Sequence, residues 1–193
     1  MIDAKKLQIA VGALPDGDIG RNTYAAMFRK LGAGPERAAE LALSANVHFP
    51  AYGIMQSNLR LAHLMAQLVH ESGSFRYMEE IASGAAYEGR ADLGNTQPGD
   101  GKRYKGRGPI QLTGRANYRT FGRRMGIDFE NHPEIAALPC IGLHIALEYW
   151  KDRGLNSFAD ADDVDAITRK INGGTNGLAD RKQHLAKIKG WLK

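Results

Sequence analysis

Seven glycines (Gly84, Gly89, Gly94, Gly99, Gly101, Gly106 and Gly108) fall between Ile81 and Gly108, set among Asn, Asp and Pro. Glycine lowers helix stability and proline removes a backbone donor, so this stretch supports turns and short strands but no long helix. The following "PIQLTG" reads as a short strand or an extended segment. On both sides the pattern is helical. A short helix, a turn at "LPDGDIG" and a helix over 22–30 capped by Asn22 or Thr23 come first. A helix over 35–45 follows, with Pro35 suited to its first turn. From Ser57 the apolar residues Leu61, Leu64, Met65, Leu68 and Val69 recur at helical spacing, up to Glu71–Gly73. Beyond the insertion, helices are predicted over 116–125, 133–138, 141–153, 164–171 and 178–192. The fold class is therefore mostly α (α+β), and a loop-rich insertion this long inside a compact helical chain is usually functional.

At 193 residues the chain can bury one core of useful size. The 26 Lys+Arg against 21 Asp+Glu give a net charge of +5, which suits an anionic polymer or an ordinary solvated surface. No basic run, basic heptad or zinc-finger spacing is present, which disfavours nucleic acid. Cys140 is the single cysteine, so no intramolecular disulfide can form. The opening residues make a poor secretory signal, and no apolar run approaches the ~20 residues of a membrane span. Synthesis in the cytoplasm, without stable membrane insertion, is expected.

The stretch "AQLVHESGSFRYMEE" places Glu71 at the end of an apolar helix and Glu80 nine residues on. Apolar surroundings raise a carboxyl pKa, as a general acid requires, whereas an ordinary ion pair with Arg76 or Arg107 is the plain alternative. On one continuous helix the two acids stand ~13 Å apart, at about 1.5 Å per residue. Inverting glycosidases separate their carboxyls by ~6.5–9.5 Å and retaining ones by ~5–5.5 Å. Catalytic pairing thus demands that the helix stop, and Gly73 and Ser74 are where it can. Glu79 and Glu88 are the rival second acids.

His63 and His70 lie seven residues apart, too far along one helix to share an ion, and no HExxH or paired-Cys pattern exists, so no metal is expected. Cys140 follows Pro139 at a helix start and reads as a small buried hydrophobe. Tyr104, Gln111, Thr113, Asn117 and Tyr118 supply hydroxyls, amides and aromatic faces. These suit a sugar polymer, and equally a network of loop-stabilising hydrogen bonds.

"HES" followed by "EE", then "GKRYKGRGPIQLTGRANY", then "INGG" with a downstream Arg, resembles the family 19 glycoside hydrolases from about Ala51 to the C-terminus. The lead-in "YEGRADLGNTQPGDG" resembles the phage and prophage endolysin branch of that family. The resemblance implies a lysozyme-like, two-lobed fold and hydrolysis with inversion, without a cofactor. It matches Glu71 to the general acid and Thr113 to the residue holding the attacking water. Tyr104, Gln111, Asn117 and Tyr118 fall on the cleft motif as sugar contacts, and Asn172 and Arg181 match a distal polar pair. For the base it leaves Glu80 and Glu88 open, with Glu80 preferred. Residues 1–45 form a helical extension, partly similar to a peptidoglycan-binding module, packed on a catalytic domain of residues 46–193 as one compact unit. The function expected is an endolysin cutting β-1,4 bonds of peptidoglycan glycan strands. It would act as a monomer on the wall or periplasm of the host, once a separate holin-type protein permeabilises the membrane. A chitinase, or a silent glycan-binding module on the same fold, is the alternative. The silent module would lack one of the carboxylates.

Overall fold

The computed structural model describes residues 2–192. Its regular structure is ten α-helices, α1(Ala4–Val11), α2(Arg21–Lys30), α3(Pro35–Ala51), α4(Asn58–Glu71), α5(Asp100–Arg103), α6(Arg115–Met125), α7(Pro139–Asp152), α8(Leu155–Asp160), α9(Val164–Asn172) and α10(Leu178–Trp191), with short 3-10 helices at Ile54–Gln56, Ala85–Tyr87, Ala91–Leu93 and Pro133–Ala137, the last where a helix over 133–138 is expected from the sequence. Helix α4 is the axis. Ser57 caps it, its hydroxyl accepting from the amides of Leu59 at 3.1 Å and Arg60 at 3.4 Å. Every residue from Leu61 to Val69 is buried, so α4 is covered on all sides rather than on one apolar stripe. Helices α8 and α10 pack directly on it.

Two apolar clusters define two lobes. The larger runs from Ile2 to Leu192 and includes α4, so the N-terminal helices share the core of the chain's C-terminal half. The smaller gathers Tyr104, Leu112, Tyr118, Phe121, Phe129, Ala136 and Ile145 around α6 and the glycine-rich segment. Helix α7 is the common wall, giving Leu143, Ala146, Leu147 and Trp150 to the larger cluster and Ile145 to the smaller.

Several boundaries differ from the sequence expectation. Helix α2 begins at Arg21 with Gly20 as its N-cap, not Asn22 or Thr23. Thr23 is thereby turned inward, where its hydroxyl accepts from the Gln8 side-chain amide at 3.2 Å. Helix α3 continues past residue 45 to Ala51, because Phe49 is fully buried edge-on against Tyr24, the ring centres 5.4 Å apart. Helix α8 had no signal in the sequence. Within "PIQLTG" no strand forms: residues 108–111 make a tight turn between Arg107 and Leu112, whose backbones bond each other at 3.1 and 2.8 Å. The expected β content amounts, among the described residues, to the isolated bridges Glu79–Arg107 and Arg107–Leu112. Cys140 is half-exposed in the first turn of α7, not buried.

Candidate active site

Helix α4 ends at Glu71 because the next residues cannot continue it. Gly73, Ser74 and Phe75 have φ of 56°, 62° and 62°, three consecutive left-handed residues. The turn therefore does not rest on Gly73 alone. Left-handed angles at non-glycine residues cost ~1–3 kcal/mol each and persist only where the surroundings impose them. Here the Ser72 hydroxyl donates to the Leu68 carbonyl at 2.6 Å and accepts from the Phe75 amide at 2.8 Å. Phe75 is fully buried, edge-on to Phe28 with ring centres 5.2 Å apart.

Past the turn the chain docks on the glycine-rich segment. The Glu80 amide donates to the Gly106 carbonyl at 2.9 Å, and the Gly108 amide to the Met78 carbonyl at 2.8 Å. The Glu80 carboxylate accepts from the Tyr87 hydroxyl at 3.0 Å on Oε1 and from the Gly106 amide at 3.1 Å on Oε2. Burial, reinforced by the Glu80 hydrogen bond and charge, pushes the Tyr87 hydroxyl pKa up and keeps it a donor. A Cβ on Gly106 would lie 2.5 Å from Gln111 Oε1 and 3.3 Å from Glu80 Oε2. Only glycine lets these two side chains meet over the same backbone atom.

The other acids are otherwise engaged. Glu79 pairs with Arg107 at 2.9 Å and Lys105 at 3.4 Å. Glu88 accepts the amides of Gly99 at 2.6 Å and Gly101 at 2.8 Å, tying down the start of α5. Glu71 meets neither Arg76 nor Arg107, nor a purely apolar pocket. Its Oε1 accepts from Arg181 Nη2, while Arg181 Nη1 donates to Gln67 Oε1. Oε2 of Glu71 accepts no hydrogen bond among the described residues.

Gln111, Thr113 and Asn117 line a pocket of about 300 Å³ together with Tyr149, Asp152, Arg153 and Arg124. The Thr113 hydroxyl donates to the Gln111 carbonyl at 2.8 Å, and the Asn117 amide to the Thr113 carbonyl at 2.8 Å. Gln111 itself is left-handed, φ 55°, its side-chain amide donating to the Gly108 carbonyl at 3.0 Å. Burial raises the Tyr149 pKa; the Arg153 charge opposes this and the Glu71 charge adds to it. The sequence offered no pointer to Tyr149 beyond its place on an apolar helix.

Four expected site residues, Tyr104, Tyr118, Arg181 and Asn172, are otherwise engaged. Tyr104 and Tyr118 are fully buried, their hydroxyls donating to the carbonyls of Glu130 at 2.9 Å and Lys105 at 2.8 Å. They build the wall of the small lobe and do not face the cleft. Arg181 is 1% exposed, so it serves Glu71 and cannot reach a ligand. Asn172 is exposed, but its side chain is folded into its own loop, bonding the Asn176 carbonyl at 2.7 Å and the Gly174 amide at 2.8 Å. The two histidines of α4 each take a separate carboxylate: His63 Nε2 lies 2.7 Å from Asp162 and His70 Nδ1 lies 2.6 Å from Asp180.

Known proteins share both the sequence and the fold. An endochitinase of Arabidopsis thaliana is 36% identical over 133 residues, covering 68% of this chain and 46% of that protein. A glycosyl hydrolase family 19 domain-containing protein of Haemophilus influenzae is 37% identical over 102 residues, covering 53% and 49% respectively. This chain thus spans about half the length of these relatives. Chitinase C of Streptomyces griseus superposes with a TM-score of 0.69 at 22% identity, over 91% of this chain and 95% of that one. The class IV chitinase of Zea mays gives 0.68 at 23%, over 90% and 92%. Both establish the two-lobed, mostly helical fold. The family model for chitinase class I matches residues 45–177, a span that holds Glu71, Glu80, Gln111 and Thr113, and the chain therefore belongs to the family 19 glycoside hydrolases.

Proposed function

We propose that this protein hydrolyses β-1,4 glycosidic bonds of bacterial peptidoglycan with inversion, as a lysis enzyme of the phage or prophage type. What carries the catalytic part is the left-handed turn after Glu71, which returns the chain so that Glu80 docks on Gly106 beside Gln111. Glu71, held on one oxygen by Arg181, presents the other to the glycosidic oxygen and donates the proton. Glu80, oriented by Tyr87 and Gly106, takes a proton from a water that the Thr113 hydroxyl holds, and that water attacks the anomeric carbon from the opposite face. With the Thr113 proton committed to the Gln111 carbonyl, the hydroxyl oxygen is left to accept from that water.

Peptidoglycan is favoured over chitin by the charges that line the pocket of Gln111 and Thr113. There Arg124 lies 2.7 Å and Arg153 3.7 Å from Asp152, two cations to one anion, with the Arg153 guanidinium 3.5 Å above the Tyr149 ring. A neutral N-acetylglucosamine polymer has no use for a surplus cation in its cleft, whereas the lactyl and stem-peptide carboxylates of peptidoglycan do. The net charge of +5 favours approach to anionic wall polymers in the same way. Access to the wall would then come from a separate membrane-permeabilising protein. Mass spectrometry of the products from purified sacculi and from purified chitin tests the reading. Muropeptides with new α-anomeric reducing ends support it. Chitooligosaccharides released without any muropeptide would make the protein a chitinase, the activity named for its plant relatives.

A further inference from the structure

Residues before 45 lie outside the span matched by the family, yet three of their contacts converge on one place in it. Phe28 of α2 meets the buried ring of Phe75 edge-on at 5.2 Å. Gly32, φ 108°, approaches Ser74 so closely that a Cβ there would lie 2.8 Å from the Ser74 Cβ. Arg37 of α3, half-buried, donates from Nη1 to the carbonyl of Phe75 at 2.8 Å and to that of Arg76 at 2.8 Å. Together these contacts clasp Ser74, Phe75 and Arg76. Ser74 and Phe75 belong to the left-handed turn separating Glu71 from Glu80, and Arg76 follows it directly.

We propose that the α2–α3 hairpin is a positioning device for catalysis: it holds the turn, and with it the separation of the two carboxylates, with Arg37 as its polar clasp. The inference rests on Glu71 and Glu80 being the acid and base. Two non-glycine residues in left-handed geometry relax unless something opposes them, and Arg37 engages the carbonyl of the second, Phe75, and that of Arg76 just after it. Removing the clasp lets the turn relax and changes the spacing of the acids by a fraction of an ångström to an ångström. Shifts of that size cost up to ~10²-fold when reacting groups are misplaced. On this reading the extension contributes geometry to the reaction and not affinity for the wall.

The test compares Arg37→Met and Arg37→Lys in the full chain, on a soluble peptidoglycan fragment and well below each variant's melting temperature. Arg37→Met is expected to lower kcat by about 10-fold or more with KM within twofold, because the misplaced groups act in the transition state. The limbs of its pH–rate profile should move with the altered spacing. Lysine can donate twice from one nitrogen, so Arg37→Lys should recover most of kcat. A kcat for Arg37→Met within twofold of the parent overturns the proposal. So does an Arg37→Lys as impaired as Arg37→Met, or a loss that follows the unfolded fraction as temperature is varied. Glu71→Gln is run in parallel: if it remains active, the assignment of the acid fails instead.

Discussion

Gly177 shows how tightly the first acid is mounted. It caps α10 at φ 70°, and a Cβ there would lie 2.2 Å from both Cε1 and Nε2 of the His70 ring. Gly177→Ala therefore acts twice. The left-handed angle costs alanine ~1–2 kcal/mol. The displaced imidazole also gives up its partly exposed pairing with Asp180, worth roughly 0.2–1 kcal/mol. The sum, about 1–3 kcal/mol, lowers Tm by some 2–12 °C for a chain of this size, at ~2–4 °C per kcal/mol. Gly173 is the control: its φ is 75° with no atom within 4 Å of an added Cβ, so Gly173→Ala feels the backbone term alone. The Gly177 carbonyl accepts the Arg181 amide at 3.0 Å, so moving the start of α10 moves the guanidinium that holds Glu71. Thermal melts and turbidity clearance of sacculi on both variants measure the two effects. Gly177→Ala should melt lower than Gly173→Ala and lose ~10-fold or more in kcat that Gly173→Ala retains. Equal Tm and equal activity in the two would refute the steric argument and the mounting role of Arg181.

Glu71→Gln keeps the shape of the side chain and the Arg181 contact while removing the proton, so clearance should fall by ~10²–10⁴. Glu80→Gln should be comparably damaging. Glu88→Gln should chiefly loosen the start of α5, because its oxygens serve the Gly99 and Gly101 amides, and turnover of the two variants on one substrate ranks them. Stability should also depend on pH through His48, His63 and His144, whose pKa values burial depresses below 6.5. For His48 and His144, whose rings stack at 3.7 Å, Glu148 opposes the depression, and the charge of His48 adds to it at His144. The unfolded chain binds these protons first, so their contribution is complete above pH 6.5 and is lost as the pH falls through the depressed folded values. His48→Gln/His144→Gln should flatten the Tm-against-pH curve below 6.5, as calorimetry across that range would show.

Much of this was legible in the chain. The start near Ser57 and the apolar period of α4 act within one or two turns of helix, so their outcome can be read locally, as can the glycines that deny a long helix to residues 81–99. Glu71 at the helix end followed from the apolar period, and a break before Glu80 from the separation that catalytic pairing requires. The structure decided what spacing leaves open. Ser74 and Phe75 take angles that no local preference of serine or phenylalanine predicts, because Phe28, Gly32 and Arg37 impose them from more than thirty residues away. Tyr104 and Tyr118 have the composition of sugar contacts and the burial of core residues, since an aromatic ring with a hydroxyl serves either role until its neighbours are known. Arg181 is the sharpest case. An arginine 110 positions from Glu71 carries no local mark of being its partner, and only the packing of α10 on α4 removes the guanidinium from water and leaves it the carboxylate to bind.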